Sequence, residues 1–535
     1  MKRLKLLGAM AALTALMAFS VYWGSPYEPV VQPVADIEEI WAIEDEREES
    51  EAPLIKALHN HGVPLGYDAA SSTFYCTLGL GLEDAWPDIH LTAECGRGVQ
   101  LVFVDDYGYD WCRDAIAEGY PYQVMAYTDD AFWYFNIVFT GLPIVSVYCE
   151  DKIGDADALA QIALSAYGEE PVSSSAYIHL RGGITKQEKK RNLRVNFIRD
   201  ESGRKNLVEL PGFGLRENIN LNPMVYDETM LRERMSWRLY SDLLGEGYDG
   251  AFSARKNAYA EVFLNDEYQG VYLLMEPMDA EEELAKEGSR NLLTDGVYRS
   301  LFVDHVDERP VTDNPLSSSS KYELRYKPSQ MKPFALLEDY LSLLAEPDDE
   351  VFRRNAECMD LESVVRYALL RQVAGLADNV GNNLYLWARE TPDGIRYVMA
   401  PWDLDYSWGR SPKELGEDNQ NWMSFTLVDR MLTCGVAGFK ALTLQRWREW
   451  RQSVFTQEHM MALLEQYSAE LVDSGAMMRN AERWNQPENL GVEDLMSFVS
   501  TRLEVMDVAM DMLEETDHPP FIPAFGSGES FLPVL

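Results

Sequence analysis

The chain has 535 residues and a formal net charge of −41, from 47 Lys and Arg against 88 Asp and Glu. With 46% hydrophobic and 11% aromatic residues it has the composition of a packed globular protein, against a disordered, collagenous or multi-span membrane chain. So acidic a chain repels polyanions, which argues against nucleic-acid binding, and its length suits roughly two to four folding units.

Lys2, Arg3 and Lys5 precede an apolar run from Leu6 to Trp23, broken by Gly8, Thr14 and Ser20, which is the layout of a secretory signal. At about 18 residues the run also reaches the lower limit for spanning a bilayer. Residues 1–24 therefore read as a cleaved signal or an anchor, and the protein as extracytoplasmic, meeting membrane only through this segment. Export makes Cys76, Cys95, Cys112 and Cys149 candidates for one or two disulfides, with buried thiols as the alternative. Without a CxxC pair and with only seven His, a zinc site is not indicated.

Residues 25–55 read as an acidic linker, in which Asp36 to Glu51 carries nine carboxylates and one Arg and suits a solvated helix or a spacer. Over 56–140, short alternating segments such as STFYCTLGL, VQLVFVDD, YQVMAYT and FWYFNIVFTG predict a small β-rich domain, a sandwich. From 142 to 513 the pattern turns to mixed α and β. LPIVSVYCE, SAYIHLRGG and NLRVNFIRD read as strands, the last two flanking a basic loop. DETMLRERMSWRLYSDLLGEG reads as a helix capped by Asp227 and ended by Gly. Hairpins follow, turning at Asn265-Asp266-Glu267 and at Pro392-Asp393-Gly394, with a helix over 360–377 between them. Residues 420–513 are helical with Met and Trp at core spacing, and 514–535 form a Pro/Gly-rich tail.

Three segments carry candidate chemistry. RGGITKQEKKRNLRV, Arg181 to Val195, concentrates cations in an acidic chain and suits phosphates, or else is a solvated hairpin tip. In LADNVGNNLYLW, Asp378 ends a helix and Asn383 opens a strand. In VMAPWDLDYSWG, Asp403 and Asp405 stand two apart among Trp402, Tyr406 and Trp408. Carboxylates among aromatics lose solvation unless a cation compensates, and paired hard carboxylates suit Mg²⁺ or Mn²⁺. Cations for phosphates, an acceptor near the attacking hydroxyl, and Asn with Asp for metal together make a phosphoryl-transfer set. Asp378 and Asn383 also keep the Asp-x4-Asn spacing of the protein-kinase catalytic loop, without its HRD.

On these segments, with GLRENINLNPMVYDETMLRERMSWRLY and VFLNDEYQGVYLLMEPMD, the chain resembles the CotH family of atypical kinases, named for spore coat protein H, over about 142–500. The resemblance implies an α+β, diverged protein-kinase-like fold behind the N-terminal β-rich domain. It also implies a Ser/Thr protein kinase using ATP with Mg²⁺ or Mn²⁺ on a protein substrate such as a coat or surface protein. The family's PKKSYR stretch falls on Lys189 to Arg194, which assigns the phosphate-binding lysine to Lys190, with Arg194 and Arg181 beside the nucleotide and Glu276 in its pocket. Asp378 becomes the catalytic acceptor, Asn383, Asp403 and Asp405 the metal ligands, and Asp227 with Arg232 a structural D-x4-R pair. Of the kinase Gly-rich loop only Gly182 and Gly183 remain. The alternatives are a non-catalytic adhesion or coat-assembly protein and a kinase-fold AMP transferase or glutamylase.

Overall fold

The computed structural model describes residues 29–32, 35–79, 89–104, 112–200, 202–245, 252–287, 290–300, 322–332, 334–379, 383–410, 422–486 and 491–516. The N-terminal apolar run and most of the C-terminal tail lie outside the described residues. No helix among those described is long and apolar enough to cross a membrane. The chain is α+β and packs into two compact units, one of residues 1–223, 258–274 and 469–488, the other of 224–257, 275–468 and 489–535.

The first unit begins with helix α1 (Ile37–Glu46), within the stretch read as acidic linker and capped by the Asp36 carboxylate. Two sheets then follow. One runs β2-β1-β5, from Val63–Pro64, Ile55–Asn60 and Leu91–Cys95. The other runs β3-β4-β8-β7-β6, from Gly66–Asp68, Thr73–Thr77, Ala131–Thr140, Tyr122–Tyr127 and Gln100–Phe103. Apolar residues of both sheets, among them Leu58, Ala93, Phe74, Val124 and Phe135, share one core with Ile116 of helix α2 (Cys112–Ala117). This is the two-layer arrangement that alternating strands predict. The disulfide expectation is not met at Cys149, whose free, buried thiol donates to the Asp151 carbonyl at 3.2 Å. The side chain of Cys112 lies outside the described residues.

The same unit holds a closed seven-stranded barrel, which the sequence pattern does not anticipate. Its order is β9 (Ile144–Tyr148), β10 (Ala158–Ser165), β11 (Val172–Leu180), β12 (Leu193–Ile198), β13 (Asn218–Asn222), β15 (Tyr268–Met275) and β14 (Asn257–Leu264), with β14 parallel to β9. Every second residue points inward, as period-two side chains in a closed sheet require. Val145 and Val147, Ala160 and Ile162, Ala176 and Ile178, Val195 and Phe197, Ile219 and Leu221, Ala260 and Val262, and Tyr272 and Leu274 form one core. The β14–β15 turn has Asn265 and Asp266 at φ 52° and 59°, where Asn and Asp are among the residues that tolerate a left-handed backbone.

The second unit contains helix α3 (Arg232–Leu244) and a four-stranded sheet. The sheet order is β17 (Tyr322–Tyr326), β16 (Gly296–Ser300), β18 (Leu384–Thr391) and β19 (Gly394–Pro401). Helix α4 (Leu361–Ala374), capped by Asp360 and stopped by Gly375 at φ 63°, is buried along nearly its whole length. Helices α5 (Thr426–Thr433), α6 (Phe439–Arg451), most of α7 (Gln457–Asp473) and α9 (Val492–Glu515) are among its other helices, and α8 (Ala476–Trp484) belongs to the first unit.

Several boundaries differ from the sequence pattern, and α4 ends at Ala374, three residues before the end of the helix read over 360–377. Helix α3 starts at Arg232, five residues after Asp227, so Asp227 is not its N-cap; its carboxylate reaches forward to the Arg232 amide at 2.9 Å and to Thr229. Thr391 pairs with Gly394, so the second hairpin turns on Pro392-Asp393 alone.

Candidate active site

In the second unit, the ends of α4 and of the β18–β19 hairpin bring acids together. Asp378 follows α4 and Asn383 precedes β18. The Asn383 side-chain amide donates to the Asp378 carboxylate at 2.8 Å. Asn379, fully buried, ties these segments to the loop after β19 by donating from Nδ2 to the carbonyls of Asn383 (3.1 Å) and Trp402 (2.9 Å). Its Oδ1 has no hydrogen-bond partner, a buried acceptor left over beside the acids. Trp402 in turn donates its amide to the Asn383 carbonyl, and Ala377 to that of Tyr406.

The loop after β19 presents Asp403 and Asp405, and α3 adds Glu233. Ligand atoms of these three lie within 4.8 Å of one another. Asn383 and Asp403 hold φ 53° and 57°, a left-handed conformation that Asn and Asp tolerate best among non-glycine residues. Burial, then Asp403, push the Asp405 carboxyl up to about 8; Arg410 works against this, while Asp227 and Asp378 add to it. Burial, then Asp403 and Asp405, hold Glu233 well above the usual carboxylate range. Both shifts come first from burial and then from the neighbouring carboxylates, whose repulsion adds to it. Arg410 stacks on Tyr406 and Tyr226, with its guanidinium carbon 4.8 and 5.7 Å from the ring centroids.

Glu233, Asn379 and Arg410 are not singled out by the sequence reading. Glu233 leaves a sequence signal, because it lies four residues before Trp237 on the apolar face of α3, where a carboxylate needs a reason. Nothing comparable marks Arg410.

The remaining predicted residues divide between the units. Glu276 is buried in the second and accepts from the Lys256 amide at 3.1 Å. Arg181, Lys190 and Arg194 are in the first. Arg181 donates to the Asn192 side chain at 3.3 Å, and Arg194 to those of Asn196 and Asn220 at 3.2 and 3.1 Å. Lys190 is buried. Its amine donates to the Val271 carbonyl (2.5 Å) and Asn480 Oδ1 (3.0 Å), 5.0 Å from the Tyr272 ring centroid, and burial pushes it down to about 7. Gly270, at φ 84°, leaves the room that Asn480 occupies; a Cβ there meets the Asn480 side chain. Asp227 and Arg232 pair with each other, as the D-x4-R spacing suggests.

Residues 178–506, more than half of the chain, match the family described as CotH kinase protein. The chain belongs to this family. A comparison with curated proteins finds no match. For a CotH protein the family description points to a kinase-like enzyme using ATP and a divalent cation, and the donor set fits such a cation. The Asp403 and Asp405 carboxylates, grouped with Glu233, offer hard oxygen acceptors, which is what Mg²⁺ or Mn²⁺ takes alongside phosphates.

Proposed function

We propose that this chain is an exported CotH-type kinase with a diverged kinase fold, which transfers the γ-phosphoryl group of ATP to a Ser or Thr hydroxyl of a protein. The reading is supported chiefly by the bonded Asp378–Asn383 pair in the same unit as the Asp403–Asp405 pair, within a chain of this family. Asp378 orients the attacking hydroxyl and takes its proton as the O–P bond forms, while Asn383 keeps the carboxylate aimed. Asn383, Asp403 and Asp405 hold Mg²⁺ or Mn²⁺, which when bound neutralises charge on the phosphates. Lys190, Arg181 and Arg194 serve the nucleotide phosphates, and Glu276 the nucleotide pocket. Such catalysis is positioning and electrostatic stabilisation, with little covalent work by the protein.

The test incubates the protein and a candidate coat or surface protein with γ-labelled ATP and Mn²⁺, beside Asp378→Asn and Asp403→Asn. Label on the wild-type product only supports the reading; equal labelling in all three overturns the assigned mechanism. Intact mass identifies the group: a gain of about 80 Da is phosphoryl, whereas about 329 or about 129 Da is AMP or glutamate transfer. A protein that acts by adhesion or coat assembly alone gives no gain and keeps its biological effect in Asp378→Asn.

A further inference from the structure

We infer that Glu233 is a positioning residue for the Asp403-Leu404-Asp405 segment, setting the affinity of that segment for a divalent cation. The inference rests on the kinase reading above and extends it to a residue outside the family motifs.

The segment is held from α3 by several hydrogen bonds, and the Ser236 and Ser407 hydroxyls meet at 3.4 Å. Arg232 Nε donates to the Ser407 carbonyl at 3.1 Å, and the Trp408 indole donates to Ser236 Oγ at 2.9 Å. These contacts fall beyond the acids. Another falls between them, where the Leu404 amide donates to Glu233 Oε2 at 2.7 Å. Glu233 Oε1 is itself fixed by the Trp237 indole at 2.7 Å, one turn along the helix, and the residue is 1% exposed. Its carboxylate therefore has little freedom to turn, and neither has the peptide it holds.

That peptide needs holding. Asp403 sits at φ 57°, a left-handed conformation that non-glycine residues keep where their surroundings support it. Turning the Leu404 peptide would re-aim both neighbouring side chains. A buried acid beside two others is also an expensive way to fill space that Leu or Met would fill without repulsion. The bond to Leu404 gives a reason for its presence. Groups that orient metal ligands without binding the ion commonly account for about 10–100-fold in metal affinity.

The test measures Mn²⁺ affinity by calorimetry on the full chain without nucleotide, with unfolding temperature as a parallel readout. Wild type is compared with Asp403→Asn, Glu233→Ala and Glu233→Gln. Glu233→Ala, which cannot accept from Leu404, should bind Mn²⁺ about 10–100-fold more weakly, and Glu233→Gln, whose one amide oxygen can still take the Leu404 amide while giving up the Trp237 indole, should stay within about fivefold of wild type. Wild-type affinity in Glu233→Ala overturns the inference. So does a loss in Glu233→Gln as large as in Glu233→Ala, which would make the residue a direct ligand. Should Glu233→Ala fail to fold, the Gln arm decides alone, on the same fivefold limit. Binding insensitive to Asp403→Asn instead overturns the kinase reading, and this inference with it.

Discussion

Asn383 donates its side-chain amide to the Asp378 carboxylate, so the acid that ends α4 is aimed by the residue that opens β18. An acid held this way is fixed in orientation, as a proton acceptor for a substrate hydroxyl has to be. Replacing Asp378 with Asn keeps the shape and removes the proton acceptor. Phosphoryl transfer should fall by about 10²–10⁴-fold, the usual weight of a positioned general base. The unfolding temperature should stay close to that of wild type, which a thermal melt beside the labelling assay checks. Asn383→Ala should retain more activity than Asp378→Asn, because it loosens the acid without deleting it.

Asp405 gives the site a pH dependence. Its carboxyl is pushed up to about 8, so much of it is protonated at neutral pH in the ion-free protein. Cation binding needs the carboxylate, so Mn²⁺ affinity should rise with pH, by at most about tenfold per unit, and level off above pH 8. Stability of the ion-free protein should move the other way. A carboxyl raised above its unfolded value of about 3.9 contributes its full stability below that pH, and the contribution is lost as pH rises towards about 8. Asp405→Asn should flatten both curves. Calorimetric titrations and melts at pH 5, 6.5 and 8 test this; parallel curves in wild type and variant would exclude Asp405 as the cause.

Much of this was legible in the chain, and the misses have physical causes. Asp378, Asn383, Asp403 and Asp405 announce themselves because polar residues at a helix end and after an apolar strand stand out locally. The strand over 192–200 and the hairpin over 259–279 read from their own local pattern. The closed barrel does not, because closure depends on β9 meeting β14 more than a hundred residues on, and alternation is the same in an open sheet. Glu233 lies some 170 residues before its partner Leu404, so only the fold reveals the pairing. Asp227 misleads as a cap: its carboxylate does serve the first helical amide, but from five residues back.

Lys190 offers a second titration, of opposite sign. Burial holds its amine near 7, far below the unfolded lysine value of about 10.4. Between those values the unfolded chain binds the extra proton, so stability should rise with pH from about 7 to about 10. Lys190→Met should remove that slope. It also leaves the Val271 carbonyl without this donor, a loss of about 1–3 kcal/mol for a buried acceptor. If Lys190 also serves nucleotide phosphates, the variant loses ATP labelling by more than its stability loss explains, measured at a temperature where it remains folded.

The buried pair of Arg479 and Glu261 anchors α8 to barrel strand β14, and it can be separated from catalysis. Arg479 Nε and one terminal nitrogen each donate to a Glu261 oxygen at 2.9 Å, Tyr268 adds its hydroxyl at 2.5 Å, and Glu261 is fully buried. Deleting one partner strands the other charge, so Arg479→Met should destabilise by about 3–5 kcal/mol. Glu261→Gln combined with Arg479→Met removes both charges and should recover a large part of that loss, because the desolvation cost disappears along with the attraction. Denaturant unfolding of wild type, both single variants and the double variant measures the coupling directly. Additive losses would mean that the two side chains are not coupled. Asn480 neighbours Arg479 on α8 and holds Lys190, so the single variant should also raise the Lys190 pKa as that amine gains access to water, visible as a weaker rise of stability with pH.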